Sequence, residues 1–195
     1  AGSGQYGQIG IYEDELRVFE YPTTRLNLKT TKMIRDRSAW YSIIVVVDTT
    51  ESTAADRAKV YINGVQITEF QTAVYYSQDF DTYWNIGDGT SNHFVGTSGA
   101  TNGLKYMPFD GYIADYYFID GSAVAYTEFG EFNNGVWIAK EYSGSFGING
   151  WHHKFLETGT SANSSGIGAD TSGNDNHFTV DGFVASDIVR DCPEN

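Results

Sequence analysis

The sequence predicts an all-β protein, an antiparallel β-sandwich, and three observations lead there. The stretch DRAKVYINGVQITEF (residues 56–70) sets Asn63-Gly64 between two arms in which apolar and polar residues alternate. Asn-Gly suits the two positive-φ positions of a type I′ turn, whose twist matches paired strands. The composition holds 22 Gly, 14 Tyr and 12 Phe against 3 Pro and 2 Met, which fits aromatic strands joined by many turns. The apolar runs are short and bounded by turn residues, with no long helical period anywhere.

The elements follow in chain order. QIGIY (8–12) and ELRVFEY (15–21) read as strands joined by the turn Glu13-Asp14. TRLNL (24–28) follows the break at Pro22. WYSIIVVVD (40–48) is apolar on both faces, so a central, buried strand is expected, opened by a core Trp40. In the Asn-Gly hairpin the two-residue loop pairs Ile62 with Val65, Val60 with Ile67 and Ala58 with Glu69. Ala58, Val60, Ile62, Val65 and Ile67 then form a dry face, and Lys59, Tyr61, Gln66 and Thr68 a wet one. TYWNIG (82–87) is a short strand and FDGYIADYYFID (109–120) a long one, with one helical turn at 126–129. Residues 88–103 and 158–176, rich in Gly, Ser, Asn and Thr, read as surface loops. The whole chain, 1–195, is thus expected to be a single domain, long enough for a sizeable core.

Charge and cysteine narrow the function classes. With 25 acidic and 12 basic residues the net charge is −13, which repels nucleic acid. Cys192 is the single cysteine, so no internal disulfide can form. The longest apolar run, IIVVV, is far too short to insert into a membrane as a helix. The first residues, AGSGQYGQIG, lack the charged start and apolar stretch of a signal peptide, and lack an initiator Met.

The order of motifs resembles a known superfamily. W-Y-x-I-x-V-V-x-D, then K-V-Y-I-N-G-V, then F-D-G-Y-I-A-D-Y-Y-F-I-D-G is similar to the laminin G-like, concanavalin A-like jelly-roll domains. IDGSAVAYTEFGEFNNGVWIAKEYSGSFGINGWHHKF, GADTSGNDNHFTVDGF and DIVRDCPEN look like a variety found in tail-fibre and other virion proteins of tailed phages, especially marine ones. The likeness spans residues 8–195. It implies a jelly-roll sandwich. Such domains usually have a strand before the point where this chain begins and continue beyond a segment like DCPEN, so an excerpt of a longer polypeptide is expected. Cys192 stands where a small polar residue is more usual.

Catalysis finds little support in the residues. Glycosidases of this superfamily carry an E-x-D-x-E pair of carboxylates, whereas EDEL (13–16) puts acids at consecutive positions that face opposite ways on a strand. There is no G-x-S-x-G elbow. His152-His153 are adjacent, so on a strand their rings diverge and do not chelate zinc. Calcium is the one cofactor the residues admit. DTSGNDN places oxygen ligands at alternate positions, Asp170, Ser172, Asn174 and Asn176, and DGTSN offers Asp88 and Asn92. Asp175 stands where a calcium loop has Gly, and such residues make metal-free turns far more often.

Sugar sites combine aromatic platforms with planar polar groups. The candidates are Trp84, Trp137, Trp151, Tyr75 and Tyr76, set against the reading that each simply packs in the core. Together with the resemblance, these residues lead to a non-catalytic glycan-binding or adhesion module of an extracellular particle appendage, a phage tail fibre or virion surface protein. Its expected partners are surface glycans of a host cell and further copies of itself or other virion proteins. A purely structural self-assembling subunit of a virion or filament is the alternative, and a glycan-degrading enzyme the third reading.

Overall fold

The computed structural model describes residues 5–21, 24–85, 92–98, 100–101, 104–105 and 107–189. Among the described residues strand makes up 34 % and helix 5 %, and every paired strand runs antiparallel, so the chain is predominantly β. Among the described residues the sheets are small and none closes on itself. Among the described residues no helix is long and apolar enough to cross a membrane. The chain divides into two compact units, 1–111 and 112–195.

The described residues of the first unit form nine strands: β1 (Tyr6–Tyr12), β2 (Glu15–Tyr21), β3 (Leu26–Met33), β4 (Ile43–Val47), β5 (Ala58–Ile62), β6 (Val65–Ile67), β7 (Phe70–Val74), β8 (Ala100–Thr101) and β9 (Leu104–Lys105). β1-β2-β3-β7 form a four-stranded sheet and β4-β5-β6 a three-stranded one. Both feed one core: Leu16, Val18, Leu26 and Leu28 from the first sheet, and Ala58, Val60, Ile62 and Ile67 from the second, with Tyr76. Each fully buried Leu, Ile or Val contributes about 1.5–3 kcal/mol, so these positions dominate the stability of this unit.

The turns follow from local chemistry. Glu13 and Asp14 both take positive φ, 51° and 68°, and close the β1–β2 hairpin with Tyr12 opposite Glu15. Asn63 (φ 50°) and Gly64 (φ 71°) close β5–β6, with Ile62 opposite Val65 and Val60 opposite Ile67. Asn63 also anchors the approach to β4. Its backbone N–H donates to Ser42 O, and its side-chain Oδ1 accepts the Ser42 N–H, each at 2.8 Å.

Several expectations need correction. The pairing of Ala58 with Glu69 does not form, because β6 ends at Ile67 and the chain turns into β7 to join β3. The apolar run in β4 lies at the edge of its sheet, and all five of its residues are half-buried. β5 takes the centre instead, because its Val60 and Ile62 face the other sheet and are fully buried. Trp40 is half-buried, while its neighbour Tyr41 packs against the core. Residues 82–85 form no strand, and 86–87 lie outside the described residues.

The second unit holds β10 (Tyr116–Phe118), β11 (Gly130–Asn133), β12 (Val136–Ala139) and β13 (Trp151–His153). β10 pairs with β13, and β11 with β12. The long strand expected over 109–120 is reduced to β10. Asp115, just before it, takes a left-handed φ of 46°, which an extended strand cannot contain. The expected helical turn is a 3-10 turn, Tyr126–Glu128.

Candidate functional site

The five aromatic candidates have separate fates. Tyr76, 1 % exposed, is the largest fully buried side chain among the described residues of the first unit. Burial first, and then the neighbouring Glu20, push its hydroxyl far above the usual phenol range. Tyr75 and Trp84 are half-buried against the same core. The Trp84 indole N–H donates to the Tyr76 hydroxyl at 2.8 Å. Trp151, 4 % exposed, stacks on Phe118 at 4.5 Å and tilts against Phe178 at 5.2 Å. Neither Tyr76 nor Trp151 offers a ring face to a ligand.

Trp137 stands differently. Asn134 (φ 49°) and Gly135 (φ 83°) close a two-residue turn that places Phe132 directly opposite Trp137 across β11–β12. The two rings meet edge to face at 5.2 Å, and Tyr126 stacks on the indole at 5.8 Å. Phe132 is 52 % exposed and Trp137 half-buried. Gly130 makes room for the indole, because a Cβ there would overlap its ring. Three aromatic rings thus sit together, two on a surface hairpin and one on the 3-10 turn that leads into it. Phe132 and Tyr126 were not foreseen as members. The signal was present: Asn134-Gly135 inside FNNGVW is the same turn dipeptide as Asn63-Gly64.

The oxygen-rich loop at 170–176 closes on itself. Asp170 Oδ1 accepts the backbone N–H groups of His152 and Ser172, both at 2.9 Å. Its Oδ2 accepts the Ser172 hydroxyl at 2.8 Å and the Asn176 N–H at 2.9 Å. Burial raises the Asp170 carboxyl, but these hydrogen bonds outweigh it and hold the group below the usual carboxylate range. The Asn174 side-chain amide donates to the carbonyls of Gly147 and Gly150, and that of Asn176 to Gly150. A calcium ion at Asp170 would have to turn four donors away. Among the described residues no group of three or more His, Cys, Asp or Glu is set to hold a metal ion. Asn92 is exposed, and Asp88 lies outside the described residues.

His152 and His153 diverge on β13. His152 Nε2 lies 3.0 Å from Asp115 Oδ1, its Nδ1 lies 3.1 Å from the Thr171 hydroxyl, and its ring stacks on Tyr117 at 4.0 Å. His153 faces the Ala169 carbonyl through Nδ1 at 3.1 Å and meets Phe178 at 4.3 Å. Both rings are buried, so they tie the 167–178 segment to β13 rather than face solvent. No protein-family model matches the chain, and neither a curated protein nor a solved structure matches it.

Proposed function

We propose that the chain is a non-catalytic glycan-binding module of concanavalin A-like, jelly-roll type, working on the outside of a particle appendage such as a phage tail fibre. The observation that carries this reading is the aromatic group formed by Phe132 and Trp137 of the β11–β12 hairpin with Tyr126 of the 3-10 turn before it. A sugar ring has an apolar face that stacks on such rings and hydroxyls that take polar partners. The motif order that resembles laminin G-like virion proteins supports the setting, and the acidic net charge of −13 favours an uncharged ligand over nucleic acid. Each site binds weakly, near millimolar or about 4 kcal/mol, and repetition along the appendage supplies avidity.

A glycan array probed with multivalent protein tests the reading. Binding is expected for the native protein and loss of it for Trp137→Ala and for Phe132→Ala, the exposed Phe132 change leaving the melting temperature nearly unchanged. No binding to any glycan, or binding indifferent to both changes, overturns it.

A second reading, a structural subunit that assembles with its own copies, draws on β1. This edge strand, YGQIGIY, carries no charged residue and exposes Ile9 and Ile11, while edge strands usually carry charges that prevent association. Light scattering separates the two: a monomer at high concentration removes the second reading.

A further inference from the structure

We propose that Glu20 is a proton-operated latch: its neutral carboxyl seats the segment 80–85 on the first sheet, and loss of the proton loosens that segment and lifts Trp84 from its place over Gly7. The geometry comes first. Glu20 sits on β2 directly opposite Gly7 of β1 and next to Leu26 of β3, and it is fully buried. Its Oε1 accepts the Tyr83 backbone N–H at 2.6 Å, and its Oε2 is buried with no donor among the described residues within close hydrogen-bonding range, although the Tyr76 hydroxyl also faces the carboxyl and favours its charged form. Trp84 covers Gly7, its ring lying 2.5 Å from where a Cβ would be, and its N–H is held by Tyr76. The segment that carries Tyr83 and Trp84 therefore roofs a carboxyl that has no ion-pair partner among the described residues.

The groups facing Glu20 are few. They are Tyr76 after β7, Arg25 before β3, and Asp81 and Tyr83 of the segment itself, while Gly7 brings none from β1. Burial raises the carboxyl to about 7. The Tyr83 N–H, the Tyr76 hydroxyl and Arg25 oppose the rise, and Asp81 adds to it. An ionised carboxylate needs water at the unpartnered oxygen, and water reaches it when the roof moves. The segment's other attachments, Phe80 stacked on Tyr76 at 5.6 Å and Gln5 donating to the Tyr83 hydroxyl at 2.9 Å, are side-chain contacts that can yield while the strand pairing of the sheet stays intact.

Hydrogen exchange at the Tyr83 amide, corrected for the intrinsic rate, tests the latch. In the folded chain Glu20 holds its proton to about pH 7, and in the opened segment only to the ordinary carboxylate value of 4.5, so opening grows as pH rises between these values. The protection of the Tyr83 amide should fall more than about tenfold from about pH 5 to about pH 7.5 and then level off. It should lie below the protection of the β5 amides throughout. Glu20→Gln, a neutral mimic of the same shape, should keep the segment seated and remove the pH response. Protection equal to that of β5 would mean that the segment opens only with the whole unit, and would overturn the proposal. So would a flat response in the native protein, or an undiminished one in Glu20→Gln.

Discussion

Asp170 Oδ1 accepts the backbone N–H of His152 at 2.9 Å, joining residues eighteen apart in sequence. The same carboxylate orders its own loop through Ser172 and Asn176, so one side chain organises both the strand β13 and the segment that follows it. A charged acceptor surrounded by four donors is strong, and its removal leaves those donors partly buried and unpaired.

Asp170→Asn should therefore destabilise the protein by about 2–3 kcal/mol, because an amide nitrogen turns a donor toward donors. Denaturant unfolding measures this. A change under about 0.5 kcal/mol would show that water replaces the carboxylate without loss.

Chelation follows from the same loop. Because the Asp170 oxygens already have four protein donors, EDTA is expected to leave the melting temperature unchanged. A fall that calcium reverses and magnesium does not would establish a bound calcium ion and a different loop.

Two buried groups give stability opposite dependences on pH. Burial raises Glu20 to about 7 in the folded chain, so its contribution is complete below the ordinary carboxylate value of 4.5 and is lost as pH rises through about 7. For His153 burial is the leading cause and lowers the imidazole below 6.5, with His152 and His177 adding to it and the Ala169 carbonyl and Asp170 opposing. Its contribution is present above 6.5 and is lost as pH falls below that value. Glu20→Gln should move the pH of greatest stability upward, and His153→Gln should move it downward. Melting curves across the range decide this, and a shift in the opposite sense for either variant contradicts the assignment.

Gly7→Ala should cost about 1–3 kcal/mol, since its Cβ would overlap the Trp84 ring and the core must open to admit it. The indole environment should change with it, seen as altered near-ultraviolet circular dichroism. A Gly7→Ala protein with native stability and spectrum would mean that Trp84 does not rest there.

What the sequence alone determined was local. The Asn63-Gly64 turn, the register of Val60 with Ile67, the Glu13-Asp14 turn and the divergence of His152 and His153 all follow from neighbouring residues and the two-residue period of a strand. The Asn134-Gly135 hairpin is legible by the same dipeptide. What only the tertiary structure decided was which apolar surface meets which. Hydrophobicity says that IIVVV, Tyr76, Trp84 and Trp151 leave water, but not that β5 takes the centre of its sheet or that Trp84 finds its place over Gly7. Nor does the composition of DTSGNDN say whether its oxygens hold a metal or the N–H groups of a strand eighteen residues away. Burial is a property of one side chain, whereas a partner is a property of the path the chain takes. Contacts distant in sequence follow that path.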